Sequence, residues 1–113
     1  MPSVPERFAV PLLSDIVLRA LIKIIMKGGE IGEHPESSIA IRLHNINTRL
    51  ITKEIQSVVE NPPIGANTVT SMLKKIGITI DRRKTGNTTR ISITEENVVI
   101  IREAIERIWR SQS

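Results

Sequence analysis

Apolar residues recur along this chain at two spacings, one helical and one alternating. Ile16, Val17, Ala20, Leu21, Ile24 and Ile25 follow the helical spacing, with Arg19, Lys23 and Lys27 off the stripe. Ser14 stands where a hydroxyl would cap that helix, and Asp15 suits the positive end of its dipole. Gly28-Gly29 ends it, with Lys27 in the last turn. Residues 30–36 then read as a loop containing Gly32 and Pro35. The run 38–47 fits both periods. Ile39, Ile41 and Leu43 alternate as in a strand, whereas Ile39, Leu43 and Ile46 fit a helix. Ser37 and Ser38 as potential caps favour the helix.

The pattern is clearer beyond residue 50. Thr52 reads as an N-cap, and Ile51, Ile55, Val58 and Val59 make one apolar face. Asn61-Pro62-Pro63-Ile64-Gly65 stops that helix, because proline cannot continue it. Asn67 reads as the next cap. Val69, Leu73 and Ile76 follow at i, i+4 and i+7 beside Met72, and Gly77 closes the helix. Ile78 and Ile80, then Ile91 and Ile93, alternate with polar residues around a Gly86-Asn87 turn signal, which predicts a β-hairpin. Thr94 caps a last helix with Glu95 and Glu96 in its first turn and Val98, Ile101, Ile105 and Ile108 as its seam.

The series Ile51-Thr52-Lys53-Glu54-Ile55, then residues 67–78 (NTVTSMLKKIGI), then a basic hairpin, resembles the winged helix-turn-helix superfamily. The resemblance covers about residues 50–93, with 14–27 as a first helix. It implies an α+β, mostly helical fold: a winged helix with a two-stranded β-hairpin wing and a C-terminal helix. An irregular arm would occupy residues 1–13. A single winged-helix domain would fill 14–113, with a recognition helix at 67–76, the wing at 78–93 and the terminal helix at 95–110. In such proteins the second helix of the pair enters the major groove.

If Val69, Leu73 and Ile76 face inward, then Thr68, Thr70, Ser71, Lys74 and Lys75 turn outward. Short hydroxyls followed by lysines can approach a duplex closely and neutralise phosphate charge. The same face would also sit comfortably in water. Arg82, Arg83, Lys84, Asn87 and Arg90 belong to the wing, where they suit phosphate or minor-groove contact. A charged hairpin also resists edge-to-edge pairing, but one or two lysines would serve for that. Val98, Ile101, Ile105 and Ile108 would pack either on the domain's own core or on the same helix of a second chain, making a homodimer. Val99 and Ile100 widen that apolar surface, and Trp109 reads as a packing anchor.

Composition sharpens this picture. The chain has 113 residues, enough for one domain with a modest core. It holds one Phe, one Trp and no Tyr, so the core is built from branched aliphatics. With no cysteine, disulfides, thiolate catalysis and Cys-based zinc sites are excluded. That fits a cytoplasmic protein, and the richness in Ile, Lys, Arg and Glu fits either a thermophile or codon bias. Net charge is +4. Residues 61–94 hold six bases and one acid, Asp81, a surplus of five, while the remainder holds ten bases and eleven acids. All the positive excess therefore lies in one third of the chain, which points to a polyanionic partner.

Candidate chemistry is sparse. His34 and His44 have no metal-ligand partners at a suitable spacing, and no phosphate-binding loop or nucleophile elbow occurs. No cofactor or metal is expected, nor an enzyme. The scarcity of aromatics disfavours single-stranded nucleic acid. No apolar stretch is long enough to span a membrane, and the Met1-Pro2-Ser3 start is unlike a signal peptide. The function expected is duplex DNA binding by a small transcription regulator. The alternative is a winged-helix protein–protein interaction module, or an accessory subunit of a replication, transcription or membrane-remodelling complex.

Overall fold

Every other helix of the fold touches α1 (Leu13–Met26). In the computed structural model, which describes residues 13–58, 65–82 and 89–109, the order continues with α2 (Pro35–Leu43), α3 (Thr48–Val58), α4 (Ala66–Ile76), β1 (Ile80–Arg82), β2 (Thr89–Ile91) and α5 (Glu95–Ala104). A wider π-helical turn, Ile105–Trp109, extends α5. The architecture is mostly helical with one small antiparallel sheet, an α+β arrangement.

Because α1 has neighbours on several sides, its buried surface is broader than one stripe. Val17, Leu18, Ala20, Leu21, Ile22 and Ile25 are all buried. Ile16 and Ile24, expected inside, are only partly buried and pack against the core's margin. Ser14 lies within the first turn and not before it, since the helix already includes Leu13. Asp15 instead accepts a bond from Arg19 Nε at 2.9 Å, one turn on.

Arg42 of α2 secures the end of α1. Its guanidinium donates to the carbonyls of Ile25, Gly28, Gly29 and Glu30 at 2.6–3.3 Å. The last carbonyls of a helix have no partner inside it, and a cation there also suits the negative end of the dipole. The ambiguous run is helical only as far as Leu43, with 44–47 outside the helix, and the helix starts earlier than expected. Pro35 opens α2, a position where its missing N–H costs nothing. Ser38 therefore lies inside the helix and donates to the Ile31 carbonyl at 2.9 Å, so neither serine caps it. Ile39 and Leu43 are buried while Ile41 is 72% exposed, which decides the period as helical.

The start of α3 also differs from expectation. Asn47 caps it, its Oδ1 accepting from the Leu50 amide at 2.9 Å. Thr52 sits one turn inside and donates to the Thr48 carbonyl. Ile51 and Ile55 are buried as expected, whereas the side chain of Val58, and Val59 altogether, lie outside the described residues. Glu54, 9% exposed, ties α3 to α1: Lys27 Nζ reaches its Oε1 at 2.6 Å and Lys23 Nζ its Oε2 at 3.9 Å.

The far end of the chain closes the core. Thr94 caps α5, its Oγ1 accepting from the Asn97 amide at 3.1 Å. Val98, Ile101, Ile105 and Ile108 are all buried in this chain's own core. Of the two roles open to that seam, internal packing is the one it takes, so these side chains are not available to a second copy. Trp109 remains 39% exposed and is not a buried anchor.

One glycine has a conformational duty where α4 meets the hairpin. Gly77 adopts φ +102°, its amide bonds to Lys74 O, and the Ile78 amide reaches back to Leu73 O, both at 3.0 Å. This is the Schellman arrangement, completed by burial of Leu73 and Ile78. A Cβ at Gly77 would meet Ile100 Cδ1 at an ordinary 3.8 Å. The cost of Gly77→Ala is thus backbone strain. We expect it to lower stability by about 1–2 kcal/mol, seen as a reduced urea midpoint with an unchanged slope.

Candidate nucleic-acid interface

The residues expected to meet DNA come from α4 and from the hairpin. In α4, Val69 and Leu73 are fully buried and Ile76 partly so, which fixes the rotation of the helix. Ser71, Lys74 and Lys75 are exposed and Thr68 is partly exposed. Thr70 departs from this set. It is only 9% exposed, and its hydroxyl donates to the Ala66 carbonyl at 2.9 Å. Four of the five α4 residues thus share access to solvent, and Thr70 is spent within the helix.

Asn67 is exposed and does not cap α4. The N-cap is Gly65, in extended conformation with no side-chain cap. The first turn also carries no acid. The start of α4 therefore presents backbone N–H groups and the positive end of its dipole without a local negative partner on the helix.

From Gly77 the chain runs directly into the hairpin. Ile80 pairs with Ile91, Asp81 with Arg90 and Arg82 with Thr89. The strands are shorter than the alternation suggested. Ile91 is buried, but Ile93 has left the sheet and is 48% exposed, because the Thr94 amide turns back onto the Ser92 carbonyl at 3.1 Å. Asp81, the one acid of segment 61–94, stands across from Arg90. Arg83, Lys84 and Asn87 lie outside the described residues; of Arg82 the backbone pairing alone is described.

Three features beyond those singled out from the sequence belong to the elements around this region. The first is an isolated antiparallel bridge between Asn47 and Arg90, which adds the chain just before α3 to the β2 side of the hairpin. The second is a further pair of exposed bases, Arg49 and Lys53, one turn apart on α3.

The third is Asn97, which has no exposed surface. Its Oδ1 accepts from the Thr79 amide at 2.9 Å, while Nδ2 donates to Thr79 O at 2.8 Å and Ser92 O at 2.7 Å. The Ser92 amide also bonds Thr79 O at 3.1 Å. One carboxamide thereby satisfies both backbone groups of Thr79 and fastens both hairpin strands to the first turn of α5. A signal for it was present. Asn97 lies one turn before Ile101 on the apolar seam, where an amide must find partners or pay a desolvation penalty.

Comparison of the chain with protein-family models, with characterised proteins and with solved structures finds no match in any of the three. Among the described residues, no helix is long and apolar enough to cross a membrane, and no group of three or more His, Asp or Glu side chains could hold a metal ion.

Asn97→Ala would remove the partner of the buried Thr79 amide and leave the Thr79 and Ser92 carbonyls with one bond each, from the Ser92 and Thr94 amides. We expect a stability loss of about 3 kcal/mol. Asn97→Asp keeps an acceptor for the Thr79 amide but loses both donations, and should cost a similar amount. Urea unfolding measures both; a loss below about 1 kcal/mol for each would show that the clamp is dispensable.

Proposed function

We propose that this chain is a winged helix that binds duplex DNA, with α4 as the recognition helix and the hairpin as its wing, and that it acts as a small transcription regulator. The observation that carries the reading is the exposed, acid-poor face of α4, followed in sequence by a run of basic residues. Ser71, Lys74 and Lys75 lie exposed on a helix with no acid in its first turn, and its Gly77 turn leads straight to the segment bearing Arg82, Arg83, Lys84 and Arg90.

The order α3, α4, β1, β2 supports the winged-helix reading, as does the Asn47–Arg90 bridge, which brings a third stretch of chain to the hairpin. In a winged helix, phosphate contacts from the wing and from helix ends set position and affinity, and the recognition helix reads base edges. Thr68 and Ser71 would make the close contacts at the start of α4, while Lys74, Lys75 and the wing bases neutralise the backbone. Lys23 and Lys27 are engaged with Glu54 and take no part.

A second reading, a winged-helix module for protein–protein interaction, is favoured by one observation. Ile41 and Ile93 are large aliphatic side chains left 72% and 48% exposed.

Binding of the purified chain to a labelled random duplex across a salt series separates these readings. The expected result is steep salt dependence and preference for duplex over single strands and over an acidic polymer. Lys74→Ala with Lys75→Ala should reduce the slope of log K against log salt by about two. Arg82→Ala with Arg83→Ala should weaken binding to all sequences alike. Absence of duplex binding at low salt would refute the DNA reading.

A further inference from the structure

The surface formed by the starts of α2 and α5 has a chemistry opposite to that of α4. A cleft of about 380 Å³ runs between them. Ala40 and Val98 supply its apolar lining, Ile93 adds a large exposed aliphatic side chain, and Glu36 and Glu95 contribute its charge. Ser37 also lines it, and Ile41 lies one helical turn beyond Ser37 on the same face of α2. A second depression of about 450 Å³, formed by Glu95, Glu96, Val99 and Ile100, shares Glu95 with the first. Of the four large hydrophobics exposed among the described residues, Ile93 lines the cleft and Ile41 lies one turn beyond its Ser37 edge, and every charged residue lining the two depressions is a glutamate.

The helix dipole accounts for glutamates in the first turns of α2 and α5. It gives no reason for Ile41 and Ile93 to face water. Contiguous exposed aliphatic surface rimmed by charge of one sign is the mark of a docking site. Such a surface repels phosphate, so it is not an extension of the DNA face.

We propose that this groove docks a basic amphipathic helix from a different protein, its aliphatic residues one turn apart entering between α2 and α5 and its Lys or Arg side chains meeting Glu36, Glu95 and Glu96. Helix-in-groove recognition uses this combination of spaced apolar anchors and flanking charge. The counterpart on the chain itself, Leu50 between Arg49 and Lys53 on α3, offers a single apolar anchor to a groove with several apolar side chains, which makes a second copy the poorer fit. The proposal does not depend on DNA binding, because none of its residues belongs to α4 or the hairpin strands.

The test uses the full chain and a fluorescein-labelled synthetic helical peptide with leucines at i, i+3, i+4 and i+7 and lysines at its other positions. Its control replaces the lysines by glutamates. The wild-type chain should bind the lysine peptide and not the glutamate peptide. Ile41→Ser with Ile93→Ser, both at exposed positions and checked by circular dichroism, should weaken binding at least about tenfold and leave duplex binding unchanged. Glu36→Gln with Glu95→Gln should weaken binding and flatten its salt dependence. The proposal falls if the lysine peptide does not bind, if the glutamate peptide binds as tightly, or if the double serine variant binds like wild type. It falls equally if sedimentation shows a wild-type dimer that the serine variant dissociates, because the occupant would then be a second copy.

Discussion

The buried carboxamide of Asn97 is the contact on which the hairpin end of the molecule depends. Among the described residues the two strands pair over three positions each, and a two-stranded hairpin is marginal in water by itself. Asn97 supplies what extra strand length would otherwise give. It occupies the donor and the acceptor of Thr79 and a carbonyl of Ser92, so the hairpin root is bonded to a helix that is itself anchored by Val98 and Ile101 in the core. A buried polar group fully satisfied in this way rigidifies its surroundings; the same group half satisfied would be worse than an alkane. The Asn47–Arg90 bridge acts on the other side of β2, so the strand is held from two directions.

The same economy governs the rest of the fold. The core is nearly all Ile, Leu and Val, and such side chains bury area without specifying how backbones end. The endings are set by a few polar side chains. Arg42 gathers four carbonyls at the end of α1, Asn47 opens α3 and Thr94 opens α5. Each satisfies groups that a helix leaves without partners. Glu54 belongs with them, drawing Lys23 and Lys27 of α1 across to α3. Hydrophobic burial thus drives association of the helices, while these contacts fix their lengths and register.

This division explains what could be read in the sequence. The helices around Leu21, Ile55, Leu73 and Ile101 were legible because apolar spacing reports the average environment of a face. Thr94 was legible as a cap because hydroxyl, glutamates and seam follow in immediate succession. Thr52, Asn67, Ser37 and Ser38 were misread for a common reason: each is a good capping residue that a better-placed neighbour made unnecessary. Asn47 captured the start of α3, and Pro35 and Gly65 opened α2 and α4 without side-chain caps. Ile93 continued the alternation of Ile91 but followed the turn into α5 instead. Arg42 was hidden more deeply, since its partners are backbone carbonyls 12 to 17 residues away and no local pattern encodes them. For the candidate interface, periodicity placed Ser71, Lys74 and Lys75 outward but could not see that Thr70 would turn back to its own helix.

The first turn of α5 joins the two proposed surfaces of this molecule. Asn97 faces the hairpin root, while Glu95 and Val98, on either side in sequence, line the groove shared with α2. Ser92 is bonded to Asn97, and Ile93, the next residue, contributes to the groove. A ligand that orders Ile93 and the start of α5 would therefore act on the residues that root β2, and a duplex that orders the hairpin would act back on the groove to the same degree. Such coupling requires that each ligand distinguish between at least two settings of that turn. With Asn97 fully buried and its side-chain polar groups engaged, the turn has little freedom to take more than one. For the two proposed surfaces, one acid-poor and basic and the other apolar and acidic, the geometry thus favours independent sites on a rigid frame over a switch between them.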